Sequence, residues 1–213
     1  EPGLVLALAR FGAAPAVVLG QDRRRQRQRS PLGPAGLRVA RRGMRLAAEL
    51  GLPLVTVIDT AGADLSKSAE EGGLAAEIAR CLAELVTLEA PTVCLLLGEG
   101  AGGAALALLP ADRVLCAQHA WLSPLPPEGA SAILYRSVDF APEIAQAQRI
   151  RATDLRRDGI VDRVIPELPD AAYEPRQFCE RVGRALEHEI AKLREVPPTT
   201  RLASRLSRYR TLG

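Results

Sequence analysis

The stretch Thr92-Val93-Cys94-Leu95-Leu96-Leu97-Gly98-Glu99-Gly100-Ala101-Gly102-Gly103 decides the fold. Its first six residues form an apolar run that reads as a buried strand. Ala104 to Leu109 is an apolar helical segment. The glycine-rich turn between them leaves backbone N–H groups unpaired and aimed at one point. Such a point suits a phosphate or a developing oxyanion, and the choice between the two decides the chemistry.

Outward from this turn, strands and helices alternate. Leu4 to Ala9 and Ala16 to Gly20 predict short strands. Gly36 to Leu50 predicts a helix with Leu37, Ala40, Met44, Ala47 and Ala48 on one face, closed by a left-handed Gly51. Leu54 to Ile58 is a β-rich run leading into Asp59-Thr60-Ala61-Gly62. Glu70 to Leu88 predicts a second helix, with Leu74, Ile78, Leu82 and Leu85 in register. Arg113 to Cys116 predicts a strand, and Pro127 to Tyr135 a helix with Pro and Glu in its first turn. Thr153 is expected to cap a short helix that stops at Gly159, with a strand from Ile160 to Ile165 and a long helix from Arg176 to Arg194. This order predicts an α/β fold with parallel pairing. Residues 1–213 are expected to form one domain, with 21–35 a basic mobile loop and 176–213 a helical extension.

Composition narrows the function. The chain has 213 residues, 47% of them hydrophobic, so it can bury a sizeable core. Three Tyr, three Phe and one Trp leave little material for stacking on bases, and a net charge of +3 argues for no polyanionic partner; no nucleic acid is expected. No run is long and apolar enough to span a membrane, and no signal peptide is evident. Cys81, Cys94, Cys116 and Cys179 lack CxxC spacing, and the histidines are His119 and His188, so no metal site is expected. The thiols read as free in a reducing cytoplasm. A start at Glu1-Pro2-Gly3, without Met, suggests a piece of a longer polypeptide.

The residues exclude several chemistries. Two histidines make no Ser-His-Asp arrangement plausible. The Gly98 turn lacks the lysine of a phosphate loop, and Glu99 within it would repel a pyrophosphate. What remains is chemistry done by the backbone: an oxyanion hole needs preorganised N–H donors and no titratable side chain. Gln21 to Ser30, with Arg23, Arg24, Arg25, Arg27 and Arg29, reads first as a solvated loop and second as a phosphate clamp for a coenzyme such as CoA.

The motifs Ile58-Asp59-Thr60-x-Gly62-Ala63, Ala69-Glu70-Glu71 and Ile78-Ala79-Arg80 resemble the carboxyltransferase α-subunit of bacterial acetyl-CoA carboxylase. The likeness continues through Gly98-Glu99-Gly100-x-x-Gly103, Asp112-x-Val114, Pro127-Glu128-Gly129, Ala141-Pro142-Glu143 and Ile165-Pro166-Glu167 to Arg208-Tyr209-Arg210-x-x-Gly213. It covers nearly the whole chain and is nearest to actinobacterial chains in which a β-like and an α-like half are fused. The resemblance implies the crotonase-type ββα spiral and an active site shared with a β-type carboxyltransferase half. That half binds acyl-CoA. The α-like half receives carboxybiotin from a biotin carboxyl carrier protein loaded by biotin carboxylase, within a homo- or hetero-oligomer. A glycine pair then donates N–H bonds to the biotin ureido oxygen.

Carried over without gaps, that pair falls on Gly103 and Ala104; a shifted turn would use Gly102 and Gly103 instead. Asp59, Thr60, Gly62, Gly100, Pro127, Glu128 and Gly129 are the implied carboxybiotin-binding residues. The family's Pro-Gly-Ala-Tyr-Pro-Gly becomes Ala61-Gly62-Ala63-Asp64-Leu65-Ser66, and Pro126 stands where Ser is usual. Asp59 is expected to hold the facing loop through its N–H groups, Glu99 to bond backbone N–H groups and Glu128 to support a helix N-terminus. Trp121 and Tyr135 are placed at an interface, in the biotin channel or in the core. The expected function is carboxyl transfer from carboxybiotin to acyl-CoA, giving malonyl-CoA for fatty acid biosynthesis. The alternatives are a catalytically degenerate scaffold subunit and another crotonase-fold acyl-CoA enzyme.

Overall fold

The structure, a computed structural model, describes residues 3–28 and 31–210; Glu1, Pro2, Arg29, Ser30 and Gly213 of the motifs above lie outside them. The chain opens with a hairpin, β1 (Leu4–Phe11) and β2 (Ala14–Gln21). It continues through α1 (Arg23–Gln28), α2 (Pro34–Leu50), β3 (Leu54–Thr60), α3 (Lys67–Glu71), α4 (Leu74–Thr87), β4 (Thr92–Ala101) and α5 (Gly102–Leu106). Then come β5 (Arg113–Ala117), β6 (Trp121–Ser123), α6 (Pro127–Tyr135), α7 (Ala141–Ala147), α8 (Ala152–Arg157) and β7 (Arg163–Ile165). Two helices close the chain, α9 (Pro175–Glu195) and α10 (Pro198–Ser207).

The strands make one sheet in the order β1-β2-β3-β4-β5-β7, with β6 pairing the end of β4. All pairs are parallel except the β1–β2 hairpin, which is antiparallel. β4 is long because it serves two partners. Val93 to Leu96 pair with β5, and Glu99 to Ala101 pair with β6. Leu19, Leu54, Ile58, Leu96 and Leu115 are fully buried in the core that the helices cover, each contributing roughly 1.5–3 kcal/mol.

Helix α2 buries Leu37, Ala40, Met44 and Ala47 of the face read from the sequence, whereas Ala48, expected on that face, is exposed. It ends at Gly51 with φ 62°, and Gly51 N–H donates to the Ala48 carbonyl at 3.2 Å. Several boundaries differ from the sequence reading. The helix expected over Glu70–Leu88 is two, α3 and α4, because the successive glycines Gly72 and Gly73 interrupt it. Arg151, not Thr153, precedes α8 as its cap residue. The strand expected from Ile160 begins at Arg163, since Ile160 and Val161 N–H both donate to the Leu155 carbonyl and wrap the end of α8. β6 and α7 have no counterpart in that reading, and α10 lies within the helical extension expected over 176–213.

The largest difference lies in the basic segment. Arg23–Gln28 is a helix where a loop was expected. Asp22 Oδ1 accepts the Arg25 N–H at 2.9 Å, a capping bond that offsets the poor company of four closely spaced cations, Arg23, Arg24, Arg25 and Arg27. Gln26 then anchors the helix from its buried side. Its Nε2 donates to the Gly3 carbonyl at 3.0 Å, and its Oε1 accepts from Thr60 Oγ1 at 2.7 Å.

Candidate functional site

β3 and β4 finish side by side, so the chemistry-bearing residues of both gather at one end of the sheet. Their register shifts between Ile58 and Thr60, an irregularity that re-aims the strand ends. Glu99 N–H donates to Asp59 Oδ1 at 3.1 Å. Asp59 therefore holds the facing strand as the sequence suggested. Asp59 N–H donates to Gln21 Oε1 at 3.2 Å, and Gln21 Nε2 donates to the Ala104 carbonyl at 2.8 Å. One buried amide thus ties β2, β3 and α5 together.

Arg23 reaches into the same cluster from α1. Its guanidinium pairs with Glu99 and lies 3.7 Å from Asp59 Oδ1. Glu99 is thus an ion-pair partner rather than an acceptor of backbone N–H groups. Burial pushes the Glu99 carboxyl above its ordinary value; Arg23 opposes this, and the neighbouring Asp59 charge adds to it.

The turn itself belongs to α5, whose N-cap residue is Ala101. The N–H groups of Gly102, Gly103 and Ala104 occupy its first turn, where no carbonyl of the helix can pair with them. Gly102 has φ 62°, a conformation that strains any other residue. A Cβ on Gly103 would lie 2.8 Å from Ile78 Cδ1. Both glycines remain partly exposed, whereas Ala104 is completely buried and its N–H is covered by protein. Of the two pairs weighed above, Gly102 and Gly103 are the accessible one.

The remaining expected residues divide. The Pro124 carbonyl lies 3.8 Å from the position of a Cβ on Gly102, while Pro127, Glu128 and Gly129 form the first turn of α6, three residues further along the chain. Glu128 is exposed in the first turn of α6 and adds to the upward push on Glu99. Thr60 is buried and committed to Gln26 and to the Gly62 N–H, which it accepts at 3.2 Å. Gly100 is buried in the β4–β6 ladder, where a Cβ would lie 3.0 Å from the Trp121 carbonyl. Thr60 and Gly100 therefore brace the site from behind, and Gly62 shapes the β3–α3 loop.

Trp121 lies partly buried in β6, and Tyr135 is exposed with its ring 4.6 Å from that of Phe140. Cys81, Cys94 and Cys116 are buried, their thiols pushed up to about 12 by burial, and offer no nucleophile; Cys179 is exposed. Among the described residues His119, Glu167 and Asp170 approach metal-ligand spacing. The Glu167 oxygens already accept the N–H groups of His119 and Ala171 at 3.1 and 3.0 Å, so Glu167 braces a loop.

Sequence reasoning missed Gln21 and Gln26, and named Arg23 only as one arginine of a loop or phosphate clamp. Gln21 did carry a signal, as a polar residue closing an apolar strand. The five arginines hid Arg23 among equals.

Comparison with known proteins agrees with this architecture. All of residues 1–213 match a family described as acetyl co-enzyme A carboxylase carboxyltransferase-like. The chain is 61% identical over 209 residues to a probable biotin-dependent acyl-coenzyme A carboxylase beta3 subunit of Mycobacterium tuberculosis, covering 98% of this chain and 42% of the relative. It is 38% identical over 220 residues to the acetyl-coenzyme A carboxylase carboxyl transferase subunit alpha of Deinococcus radiodurans, covering 100% of this chain and 70% of that one. The chain thus spans about two-fifths of the length of the mycobacterial relative. Among solved structures, transcarboxylase 12S superposes with a TM-score of 0.74 at 22% identity, over 90% of this chain and 36% of its own. A Pseudomonas malonate decarboxylase hetero-tetramer in complex with coenzyme A superposes with a TM-score of 0.76 at 18% identity, over 97% and 85%. Identities this low speak to the fold alone, and that fold is crotonase-like. With its strand order, its glycine turn and a match along its entire length, the chain belongs to the acetyl co-enzyme A carboxylase carboxyltransferase-like family.

Proposed function

We propose that this chain is the carboxybiotin-side half of a biotin-dependent acyl-CoA carboxyltransferase. The observation that carries the reading is the partly exposed Gly102–Gly103 turn at the head of α5. Two N–H donors fixed by the fold can meet an oxygen as it becomes negative, with no reorganisation during reaction. The residues around the turn favour that use. Asp59 and Glu99 stand close by with Arg23 as their shared cation. Such a surrounding disfavours a permanent polyanion at the turn and suits an acceptor that is neutral until charge develops.

Carboxybiotin, carried on a separate protein, supplies the activated carboxyl group when bound. The chain's own residues do the rest of the work on this side. Gly102 and Gly103 N–H groups hold the ureido oxygen. Gln21 fixes α5 against β3, and Arg23 pairs with the Glu99 carboxylate. Ala104 is no obstacle, because its methyl group is buried behind the donors. This weakens the scaffold alternative. The acyl acceptor in this reading is acetyl-CoA, the product malonyl-CoA for fatty acid biosynthesis, and the setting cytoplasmic. The name of the Deinococcus relative supports acetyl-CoA, while that of the mycobacterial relative leaves the acyl group general.

A β-type half completes the site. Helix α6 and the segment after it expose Ile133, Leu134, Tyr135, Val138 and Phe140, apolar surface of the kind partners cover. The test is carboxyl transfer from malonyl-CoA to biocytin, with this chain joined to its β-type half. G103P removes one donor at a helix position that has no backbone partner to lose. Turnover is expected to fall about 10²–10³-fold, beside a modest loss of thermal stability as Ile78 yields to the added ring. Equal turnover in G103P, or silence with acetyl-, propionyl- and longer acyl-CoA, overturns the reading.

A further inference from the structure

A cavity of about 380 Å³ opens between α1 and the β3–α3 loop, lined by Arg23, Gln26, Arg27, Pro31 and the Ala61–Ala63 turn. That volume lies within the range of small-molecule sites, roughly 300–1,000 Å³. Two cations and no carboxylate line it. The cations differ in how they are engaged. Arg23 spends its terminal nitrogens on Glu99 and Asp59, and its Nε is buried without a partner among the described residues. Arg27 is exposed, one turn further along the same face of α1, and among the described residues no carboxylate lies within ion-pair distance of it.

The walls are held rather than loose. Gln26 is bonded to Gly3 and Thr60, so α1 cannot swing away without breaking two buried hydrogen bonds. Gly62 leaves the opposite wall bare, with nothing within 4 Å of the position of a Cβ. A fixed concave surface lined by two guanidinium groups, that of Arg27 exposed and free of a carboxylate among the described residues, suits a compact oxyanion with several acceptors.

We infer that this pocket takes a phosphate group, that of the diphosphate of an acyl-CoA or of free phosphate. The acyl-CoA source rests on the function proposed above. The pocket is distinct from the glycine turn, where the carboxylates stand, and it places the basic helix at the edge of the reaction site. Arg27 is the residue that reads the phosphate, and Arg23, held on Glu99, adds positive charge at the wall.

The test uses the enzyme assembled with its β-type half. In the first arm, KM is measured for malonyl-CoA and for malonyl-pantetheine, which lacks the diphosphate, in wild type, R27A and R27K. R27A is expected to raise KM for malonyl-CoA roughly five- to tenfold, leaving kcat and the KM for malonyl-pantetheine unchanged, with R27K intermediate. In the second arm, pyrophosphate is titrated calorimetrically into wild type and R27E. Arg27-dependent pyrophosphate binding with an unchanged KM for malonyl-CoA supports the phosphate site and assigns it to free phosphate. Should pyrophosphate bind wild type and R27E alike, with KM for malonyl-CoA unmoved by R27A, the inference is overturned. If no acyl-CoA supports transfer, the proposed function fails, and the pyrophosphate titration still decides the pocket.

Discussion

Arg205 and Arg23 act near opposite ends of β4, and they are used in opposite ways. Arg205, on α10, is 3% exposed and grips Asp112 with two bonds, Nε to Oδ1 at 2.9 Å and Nη2 to Oδ2 at 2.7 Å. Its Nη1 also donates to the Leu85 and Leu88 carbonyls at 2.9 and 2.7 Å, closing the C-terminal end of α4. Asp112 in turn accepts the Thr92 N–H at 2.8 Å, so the cation is tied to the first residue of β4. Every direction of that guanidinium is filled. Arg23 has a side chain 32% exposed, a second carboxylate at 3.7 Å and an Nε with no partner among the described residues. The first arrangement resists change, because each lost bond strands a buried partner. The second leaves capacity for a ligand. One residue type serves stability where its donors are saturated and function where they are not.

The sharpest way to break this contrast is R205A. It leaves several buried carbonyls without their donor and Asp112 with only Arg201, at 4.0 Å, and is expected to cost about 3–5 kcal/mol in stability. Chemical denaturation reads the loss; a change below about 1 kcal/mol would mean that the two ends are equally yielding. Next in size is G103P, the donor deletion proposed above, expected to remove about 10²–10³-fold of turnover with a smaller change in denaturation midpoint than R205A. Together these variants should separate cleanly, one moving stability and the other moving rate.

A smaller effect concerns pH. Glu99 is held above the ordinary 4.5 by burial, so the native chain keeps that proton to a higher pH than the unfolded chain does. Its contribution is therefore most favourable below 4.5 and is lost as pH rises through the raised native value. Comparing wild type with E99Q across pH 4 to 8, roughly the window of carboxylate titration, should show this slope vanish in the variant. R23A should make it steeper, since the opposing cation is gone. An unchanged slope in R23A would show that Arg23 does not act on Glu99.

The smallest expected effect is A104G. The lost methyl and the added backbone freedom should cost about 1 kcal/mol, and turnover should stay within about twofold, well under one tenfold step. A large gain in turnover would instead assign the donors to positions 103 and 104.

Much of this molecule was legible before any coordinates. The runs Leu54–Ile58 and Thr92–Leu96 are largely apolar without alternation because both faces of these strands are covered, and that burial is written in composition. The face of α2 and its Gly51 stop follow from helical period and from the freedom of glycine. Position, not residue type, was out of reach elsewhere. β6 has three residues and exists because β4 offers it an edge at Glu99–Ala101. Helix α1 forms in a run of arginines because Asp22 caps it and Thr60, remote in sequence, holds Gln26.

The sequence by itself determined the class of fold, the glycine turn and the family, since periodicity and local motifs are properties of neighbouring residues. Only the tertiary structure decided that Ala104 is buried while Gly102 and Gly103 remain accessible. It alone set Arg23 against Glu99 and Asp59 and left Arg27 unpaired among the described residues. Exposure and pairing depend on segments as far apart as Gln21 and Ala104, which no local pattern records.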